Sequence, residues 1–273
     1  MNLDAAGRYS LGRWEVRRVG YGAMQLSGDN IFGPSYDADE AILVLRDAVE
    51  NGVNHIDTAQ YYGPGTANRL IREALFPYPP DLAIVSKLAI RRDESGGVLP
   101  FNDPDQLRIG IEDNLATLGV QRLAAVNLRS LDELSAPDER FDAQLAALVQ
   151  ERDEGLIDGI GLSNITVDHL LRAVAQTEIV CVQNLFHLAD RRSQDVLREC
   201  LSRNIAFVPF FPLGGHNQLL DNPTLVEAAR RLGATPAQVA LAWLLDHSPN
   251  ILLIPGTRSR THLSENLGSA NIE

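Results

Sequence analysis

The sequence predicts an α/β fold, a closed (β/α)8 TIM barrel with an N-terminal hairpin as a cap. Short runs rich in β-branched residues alternate with longer segments whose apolar residues recur at helical spacing. There are eight such runs, the number of strands in a parallel barrel of this class. Many of the runs end in polar or otherwise unusual residues, as expected where barrel strands reach a shared mouth. An open doubly wound sheet is the structural alternative.

The predicted strands and helices alternate regularly along the chain. The strands are RRVGYGAM (17–24), VNHID (53–57), LAIVSK (82–87), LAAVNLR (123–129), IDGIGLS (157–163), EIVCVQN (178–184), IAFVPF (205–210) and ILLIPG (251–256). The helices span 39–51, 67–75, 105–118, 140–154, 166–176, 192–203, 224–232 and 236–247, with a last helix beginning near Thr261. Before the first strand, RYSLGRWEVRR (8–18) alternates around a Gly-Arg turn, which predicts a small hairpin over one end of the barrel.

Composition limits the classes of function. The 273 residues are expected to form one domain, 1–273, and their formal charge of −12 argues against nucleic acid or an anionic membrane surface as a partner. The first residues show no basic region followed by an apolar run, so we expect a cytoplasmic protein without a signal peptide. Cys181 and Cys200 lie far apart, which favours packing roles in a reducing compartment over a disulfide or metal site.

The ends of the predicted strands carry the candidate chemistry. They are Asp57, Lys87, Asn127, Ser163 with Asn164, Gln183 with Asn184, Phe210 and Gly256. The carboxyl ends of barrel strands meet at one mouth, so residues far apart in sequence should converge there.

Asp57, Tyr62 and Lys87 form the most specific group. A tyrosine hydroxyl titrates near pH ~10, and an ammonium beside it lowers that pKa. Tyr62 is therefore the candidate general acid, with Lys87 adjusting its pKa and Asp57 holding Lys87. The alternative is that Asp57 caps a turn, Lys87 is a solvated strand end and the tyrosines are packing residues.

The motifs resemble the aldo-keto reductase family in the family's own order. GVNHIDTAQYYG resembles the family signature, in which the Asp of DTA precedes the catalytic Tyr, and IVSK resembles its strand-ending lysine. The segments IGLSN, VQN, VPFFPLGG and IPGTRSRTHLSEN resemble its cofactor-binding strands. Bacterial pyridoxal-reductase-like members are the most similar in appearance. The resemblance implies an NADPH-dependent barrel enzyme that reduces a small-molecule carbonyl, with pyridoxal or another small aromatic aldehyde as the suggested substrate.

The same resemblance implies a set of cofactor-binding residues. Ser163, Asn164 and Gln183 correspond to groups that bind the nicotinamide carboxamide, and Phe210 corresponds to the aromatic residue that stacks on the ring. Met24, at the end of the first strand, is either a lining residue of that cavity or a packing residue. Ser163 and Asn164 have a structural alternative as caps of helix 166–176, with Thr166 as the competing cap. The other implied cofactor-binding residues are Pro212, Leu213, Gly256, Thr257, Arg258, His262, Glu265 and Asn266.

The segment IPGTRSRTHLSEN also points to a phosphate without the resemblance. It follows a predicted strand and begins a predicted helix, and the N-terminal amides of a helix bind anions well. Arg258 and Arg260 add cations, and a planar guanidinium suits the 2′-phosphate of NADPH. Gly256 and His262 stand where the family commonly has Lys and Arg, which weakens this preference. The alternative is a capped helix with two solvated arginines.

Aligned through LGVQRLAAVNLRS, the usual fourth catalytic residue, a histidine, is Asn127 here. Its amide can orient a carbonyl oxygen but cannot carry charge. Arg129, two residues on, points to the same side of the strand and offers a cation near the mouth, unless it faces solvent or a helix. Asn127 keeps a second function open, an NADPH-binding sensor with slow turnover. A Schiff-base aldolase using Lys87 is disfavoured by its carboxylate partner. The sequence ends at ENLGSANIE, where the family generally continues into a variable tail, so the tail is expected to be short or truncated.

Overall fold

The computed structural model describes residues 2–132, 135–215 and 218–272. Within these ranges the strands are β1 (Arg8–Leu11), β2 (Trp14–Arg17), β3 (Tyr21–Gly22), β4 (His55–Asp57), β5 (Ala83–Arg92), β6 (Val98–Phe101), β7 (Ala125–Arg129), β8 (Ile160–Ser163), β9 (Cys181–Leu185) and β10 (Ala206–Phe210). The α-helices there are α1 (Ala38–Glu50), α2 (Thr66–Leu75), α3 (Pro104–Leu118), α4 (Glu139–Asp153), α5 (Val167–Val174), α6 (Gln194–Ser202), α7 (Pro223–Leu232), α8 (Pro236–His247) and α9 (Arg260–Gly268). The predicted helices are thus confirmed, most of them to within two residues at each end.

Parallel strands curl around a common axis and close into a barrel. The hydrogen-bonded order is β10-β9-β8-β7-β5-β4-β3. The predicted eighth strand, 251–256, pairs with its neighbours only through isolated bridges and is therefore not a regular strand. It nevertheless contacts both edges of the sheet. Ile251 pairs with Phe207 of β10, and Leu253 pairs with Val19 just before β3, both in parallel. These bridges join the edges of the sheet, so the predicted barrel is confirmed and the open doubly wound sheet is excluded.

The N-terminal hairpin closes the amino-terminal end of the barrel. β1 pairs antiparallel with β2, so that Leu11 lies opposite Trp14. Leu11 and Val16 are buried in one apolar cluster with barrel residues such as Ala83 and Ala125. The predicted cap is confirmed, and it leaves the opposite end of the barrel as the accessible mouth.

Most barrel strands are shorter than predicted, β3 by the largest amount, whereas β5 is longer. The first barrel strand is regular only over Tyr21–Gly22, because its preceding residues pair by a single bridge to the predicted eighth strand. β5 runs five residues beyond Lys87 and forms an antiparallel hairpin with β6. The turn of that hairpin is held by Asp93, whose carboxylate accepts from the amides of Ser95 and Gly97 at 2.8 Å each. β6 was missed because it lies outside the barrel and its apolar residues are exposed.

Alternation along each strand decides which side chains face the barrel interior. Ala83 and Val85 of β5 belong to the apolar cluster inside the barrel. Lys87 lies two residues beyond Val85, so its side chain also points into the barrel. In β7, Ala125 belongs to that cluster whereas Val126 belongs to the larger core between barrel and helices. Asn127 and Arg129 therefore face inward at successive levels.

Cys181 and Cys200 are buried free thiols, as expected for packing residues. No helix in the described ranges is long and apolar enough to cross a bilayer.

Candidate active site

A cavity of about 780 Å³ opens at the carboxyl ends of the barrel strands. Apolar and aromatic side chains line most of it, with a few charged groups among them. It gathers predicted site residues from across the chain, namely Met24, Asp57, Tyr62, Lys87, Gln183, Phe210, Pro212, Leu213 and Gly256. Of the strand ends predicted to converge, five line this cavity, namely Asp57, Lys87, Gln183, Phe210 and Gly256. The other four, Asn127, Ser163, Asn164 and Asn184, are not among its lining residues.

Asp57 and Lys87 form a buried ion pair on the cavity floor. The Lys87 ammonium contacts the Asp57 carboxylate through Oδ1 and also donates to the backbone oxygen of Thr58 at 3.0 Å. The other carboxylate oxygen, Oδ2, accepts from the Gln183 side-chain amide at 2.8 Å. Asp57 therefore does not cap the following turn, which was the structural alternative. Its two oxygens instead hold two side chains from other strands in fixed positions.

The catalytic loop places Tyr62 against this ion pair. The Lys87 ammonium lies 4.9 Å from the centroid of the Tyr62 ring. Tyr61 packs edge-on against Tyr62, with ring centroids 5.1 Å apart. Gly63 follows at a φ of 63°, and a β-carbon there would lie 2.5 Å from the backbone oxygen of Gly33. The loop thus turns tightly against the segment after β3, which fixes the position of Tyr62.

A buried polar network under this loop was not anticipated from the sequence. Asn68, on α2, accepts from the Thr58 hydroxyl at 2.8 Å and donates to Asn114 of α3 at 3.0 Å. The same amide group donates to Gln60 at 2.9 Å, and Ser86 donates to Asn114 at 2.6 Å. Both asparagines are fully buried. The signal in the sequence was an asparagine on the apolar face of each helix, where a buried polar group needs a partner.

The charges around Tyr62 differ from the sequence prediction. Burial raises the pKa of the Tyr62 hydroxyl, and the Asp57 carboxylate raises it further. The cation that lowers this pKa is Arg129, not Lys87. Lys87 lies beside the ring but its charge is matched by Asp57. The predicted adjustment of Tyr62 by Lys87 alone is therefore corrected: the net direction is upward, which keeps the hydroxyl protonated and able to donate.

Asn127 lies in register with Lys87, at the level of the cavity floor, and its side-chain Nδ2 has no hydrogen-bond partner among the described residues. It is fully buried, and its side-chain oxygen accepts from the Cys181 thiol at 3.2 Å inside the barrel. Its Oδ1 also occupies the space in front of Gly161, where a β-carbon would lie 2.0 Å away. Asn127 is not among the residues that line the cavity. Arg129 is among them, two residues further along the strand, or about 6.6 Å nearer the mouth.

The nicotinamide end of a cofactor fits the residues predicted for it. The Ser163 hydroxyl and the Gln183 side-chain oxygen are buried and have no hydrogen-bond partner among the described residues. The two residues are in register on adjacent strands. Unpaired buried polar atoms are rare in proteins, and a carboxamide would supply the missing partners. Phe210 ends β10 two residues beyond Val208, which pairs with Gln183, and it presents an aromatic ring to the cavity.

Ser163 and Asn164 do not cap the helix that follows them. Thr166 is the N-cap of α5, and its hydroxyl oxygen accepts from the His169 amide. Asn164 instead adopts a left-handed backbone conformation at a φ of 59° and donates to the Ser130 backbone oxygen at 3.1 Å. The capping alternative is therefore wrong.

The predicted phosphate segment leaves the barrel beside the first strand. Gly256 packs so closely on Gly22 that a β-carbon there would lie 2.5 Å from the Gly22 oxygen. The Thr257 backbone oxygen accepts from the buried Tyr21 hydroxyl at 2.6 Å. Ser259 then caps α9. The segment is thus held against the barrel with its helix N-terminus accessible.

The two arginines of this segment have different surroundings. Arg260 forms an ion pair with Asp47 of α1 at 2.5 Å. Arg258 is exposed, has no carboxylate within ion-pair distance among the described residues, and stacks 4.5 Å from the centroid of the Tyr36 ring. Of the pair, Arg258 is the cation available to a phosphate. His262, Glu265 and Asn266 lie on α9 outside the cavity, exposed, half-buried and buried respectively.

Comparison with known sequences gives a consistent family. The sequence profile of the Aldo/keto reductase family matches residues 18–273. A pyridoxine 4-dehydrogenase of Escherichia coli is 47% identical over 270 residues, which cover 98% of this chain and 94% of that protein. An oxidoreductase of Schizosaccharomyces pombe, described as uncharacterized, is 35% identical over 273 residues, covering 100% of this chain and 88% of that protein.

Solved structures share the same barrel. A thermostable aldo-keto reductase, Tm1743, in complex with the inhibitor epalrestat is 30% identical, with a TM-score of 0.81 over 97% of this chain and 94% of that one. An aldo/keto reductase from Klebsiella pneumoniae in complex with NADP and acetate is 22% identical, with a TM-score of 0.77 over 94% of this chain and 87% of that one. At that identity the second likeness supports the fold alone.

Proposed function

This chain belongs to the aldo/keto reductase family, and on that premise we propose that it uses NADPH to reduce pyridoxal or another small aromatic aldehyde to the alcohol. It is an NAD(P)H-dependent oxidoreductase, as the family implies. The observation that carries the proposal is the single cavity that holds Tyr62, the Asp57–Lys87 pair and Phe210 together.

Tyr62 would serve as the proton donor. Its hydroxyl lies in a buried loop position, and burial keeps its pKa high. The proton goes to the carbonyl oxygen as negative charge develops there. When the cofactor is bound, hydride for the carbonyl carbon comes from its reduced nicotinamide ring. Asp57 and Lys87 would keep the ring of Tyr62 in place, since the ammonium that packs on it is itself held by the carboxylate.

The groups that would hold NADPH lie on both sides of the barrel mouth. Ser163 and Gln183 offer unpaired polar atoms to the carboxamide, and Phe210 offers a surface for the ring. Arg258 offers a cation to the 2′-phosphate, while Arg260 is engaged with Asp47. The choice of NADPH over NADH rests on Arg258, because a guanidinium recognises phosphate well.

The cavity lining supports an aromatic aldehyde of modest size. Tyr61, Phe211 and Leu220 provide apolar surface, and polar groups such as Gln25 and Gln218 lie among them. Such a mixture suits a flat ring with hydroxyl substituents. The identity with a pyridoxine 4-dehydrogenase supports pyridoxal within this class.

A single-turnover measurement tests the proposal. Enzyme in excess over NADPH is mixed with pyridoxal, and the decay of nicotinamide absorbance is followed. Benzaldehyde and acetaldehyde serve as matched aromatic and aliphatic comparisons. We expect rapid decay with pyridoxal, slower decay with benzaldehyde, and the slowest with acetaldehyde. Tight NADPH binding with no decay for any carbonyl would instead favour the cofactor-binding sensor.

A further inference from the structure

Arg129 occupies the position in the cavity that the sequence alignment assigned to Asn127. It ends β7 with its side chain facing the barrel interior, in register with Ser163 of β8. It lines the same cavity as Tyr62 and Lys87. Its guanidinium lies 5.7 Å from the centroid of the Phe210 ring. Arg129 thus lines the cavity of the proposed proton donor and contacts the proposed nicotinamide platform.

The other charged groups of the cavity already have partners or lie at its rim. Lys87 is paired with Asp57. Arg92 donates to the backbone oxygens of Gly96 at 2.7 Å and Asn30 at 3.2 Å. The remaining acid, Asp221, is exposed at the rim.

Arg129 differs from these groups. Among the described residues, its guanidinium has no hydrogen bond and no carboxylate within 4.0 Å. A half-buried cation without an acidic partner is costly unless a ligand supplies the complementary charge. The charge of Arg129 is therefore available to whatever enters the cavity.

We propose that Arg129 is the residue that binds the substrate's carbonyl oxygen and stabilises the negative charge that develops there during reduction. The inference rests on the proposed function. It assigns to an arginine a role for which the sequence had offered the neutral amide of Asn127. The guanidinium N–H groups would donate to the oxygen while Tyr62 delivers its proton.

The chemistry favours a guanidinium at this point. A fixed donor aimed at a developing oxyanion acts more strongly in the transition state than in the bound aldehyde, so it raises kcat more than it lowers KM. The planar fork of Arg129 can contact the oxygen and a neighbouring substituent together. Removal of one such donor typically costs about 10²–10³-fold in kcat.

The test compares three substitutions of Arg129 with one matched control. Arg129→Met removes the charge at similar length, Arg129→Lys keeps a charge without the fork, and Arg129→Ala leaves room for added guanidinium. Arg91→Met is the control, because Arg91 is exposed on the neighbouring strand β5 and stacks on Phe101 outside this cavity. Each variant is assayed with NADPH and benzaldehyde, an aldehyde without an anionic substituent.

We expect kcat to fall about 10²–10³-fold in Arg129→Met with a smaller change in KM. Arg129→Lys should recover part of the loss, and guanidinium ion should accelerate Arg129→Ala but not the wild type. Arg91→Met should match the wild type. The affinity for NADPH, measured by fluorescence titration, should change less than tenfold in all of them.

A pH profile gives a readout that a purely structural role would not affect. Tyr62 is faced by Tyr61 from its own loop, by Asp57 from β4, by Lys87 from β5 and by Arg129 from β7. Loss of Arg129 removes a cation near Tyr62, so the pKa of the Tyr62 hydroxyl should rise. In the reverse reaction, alcohol oxidation, the apparent pKa of the rate profile should therefore be higher for Arg129→Met than for the wild type.

The possible outcomes separate the two proposals. If the wild type reduces benzaldehyde and Arg129→Met reduces it equally fast, the role of Arg129 is overturned while the proposed function stays intact. A large loss in Asn127→Ala with none in Arg129→Met would return the role to Asn127. A wild type that binds NADPH but reduces no carbonyl would refute the proposed function itself, and with it this role.

Discussion

The ammonium of Lys87 lies 4.9 Å from the centroid of the Tyr62 ring while its charge is held by Asp57. The contact joins a loop residue to two strand ends separated by 30 residues in sequence. A cation over an aromatic face is attractive, and here it also fixes the ring beside the cavity. The position of Tyr62 thus depends on an ion pair that does not itself donate the proton.

The two tyrosines of the loop should differ sharply in function. Tyr62→Phe removes the proposed proton donor but keeps the ring, so kcat should fall about 10²–10⁴-fold with NADPH affinity nearly unchanged. Tyr61→Phe is the matched variant, since Tyr61 packs edge-on against the same ring, and it should keep most activity. Steady-state kinetics and fluorescence titration measure the two effects. Retention of most activity in Tyr62→Phe would show that another group donates the proton.

Breaking the buried ion pair should destabilise the protein as well as slow it. Lys87→Met leaves the Asp57 carboxylate buried without its cation, which typically costs about 3–5 kcal/mol of unfolding free energy. The double variant Lys87→Met/Asp57→Asn should recover much of that stability, because no lone charge remains buried, but it should not recover kcat. Urea denaturation and turnover assays report the two quantities. Strictly additive stability losses would contradict a coupled pair.

Arg258 should set the preference for NADPH. A hydrogen bond to a charged group contributes about 1.5–3 kcal/mol, so Arg258→Ala should weaken NADPH binding about 10–100-fold and leave NADH nearly unchanged. Arg260→Ala is the control, since Arg260 is paired with Asp47 and should affect both cofactors equally. Titration with each cofactor measures the change. Equal losses for NADPH and NADH in Arg258→Ala would refute a role at the 2′-phosphate.

His55 should make the protein sensitive to mild acid. It is buried inside the barrel below Asp57, and burial lowers its pKa from 6.5 to about 4, with Asp57 opposing and Lys87 reinforcing the change. Between those values the unfolded chain holds the extra proton, so stability falls as pH falls from about 6.5 to 4. The gap corresponds to on the order of 3 kcal/mol.

The measurement is urea denaturation at several pH values for the wild type and His55→Gln. The variant should lose less stability across that window, even if it is less stable at pH 7. Other histidines with lowered pKa, such as His169 and His187, contribute to both proteins and cancel in the difference. Parallel curves would rule out His55 as the acid-sensitive group.

Much of the site could be read from the sequence because strand ends and alternation are local properties. The order of the barrel strands and the placing of Asp57 and Lys87 at one mouth followed from spacing and strand ends, whereas the choice of Tyr62 as proton donor came from the resemblance to the family and stays a prediction. The polar network around Asn68 and Asn114 did not follow from the sequence, because a buried asparagine shows its partner only when two helices pack together. β6 was missed for the converse reason, since its short apolar run lies exposed in a hairpin outside the barrel.

The sequence by itself determined which side chains face the barrel interior, since alternation along a strand allows only every second residue to point there. It did not determine how deep each one lies. Asn127 and Arg129 share that face, and their heights depend on how β7 aligns with its neighbours. Only the tertiary structure decided that Asn127 is sealed beside Cys181 and that Arg129 reaches the cavity. The physical reason is that the direction of a side chain repeats every two residues along a strand. Its depth in the barrel, in contrast, is fixed by the pairing between strands that are distant in sequence.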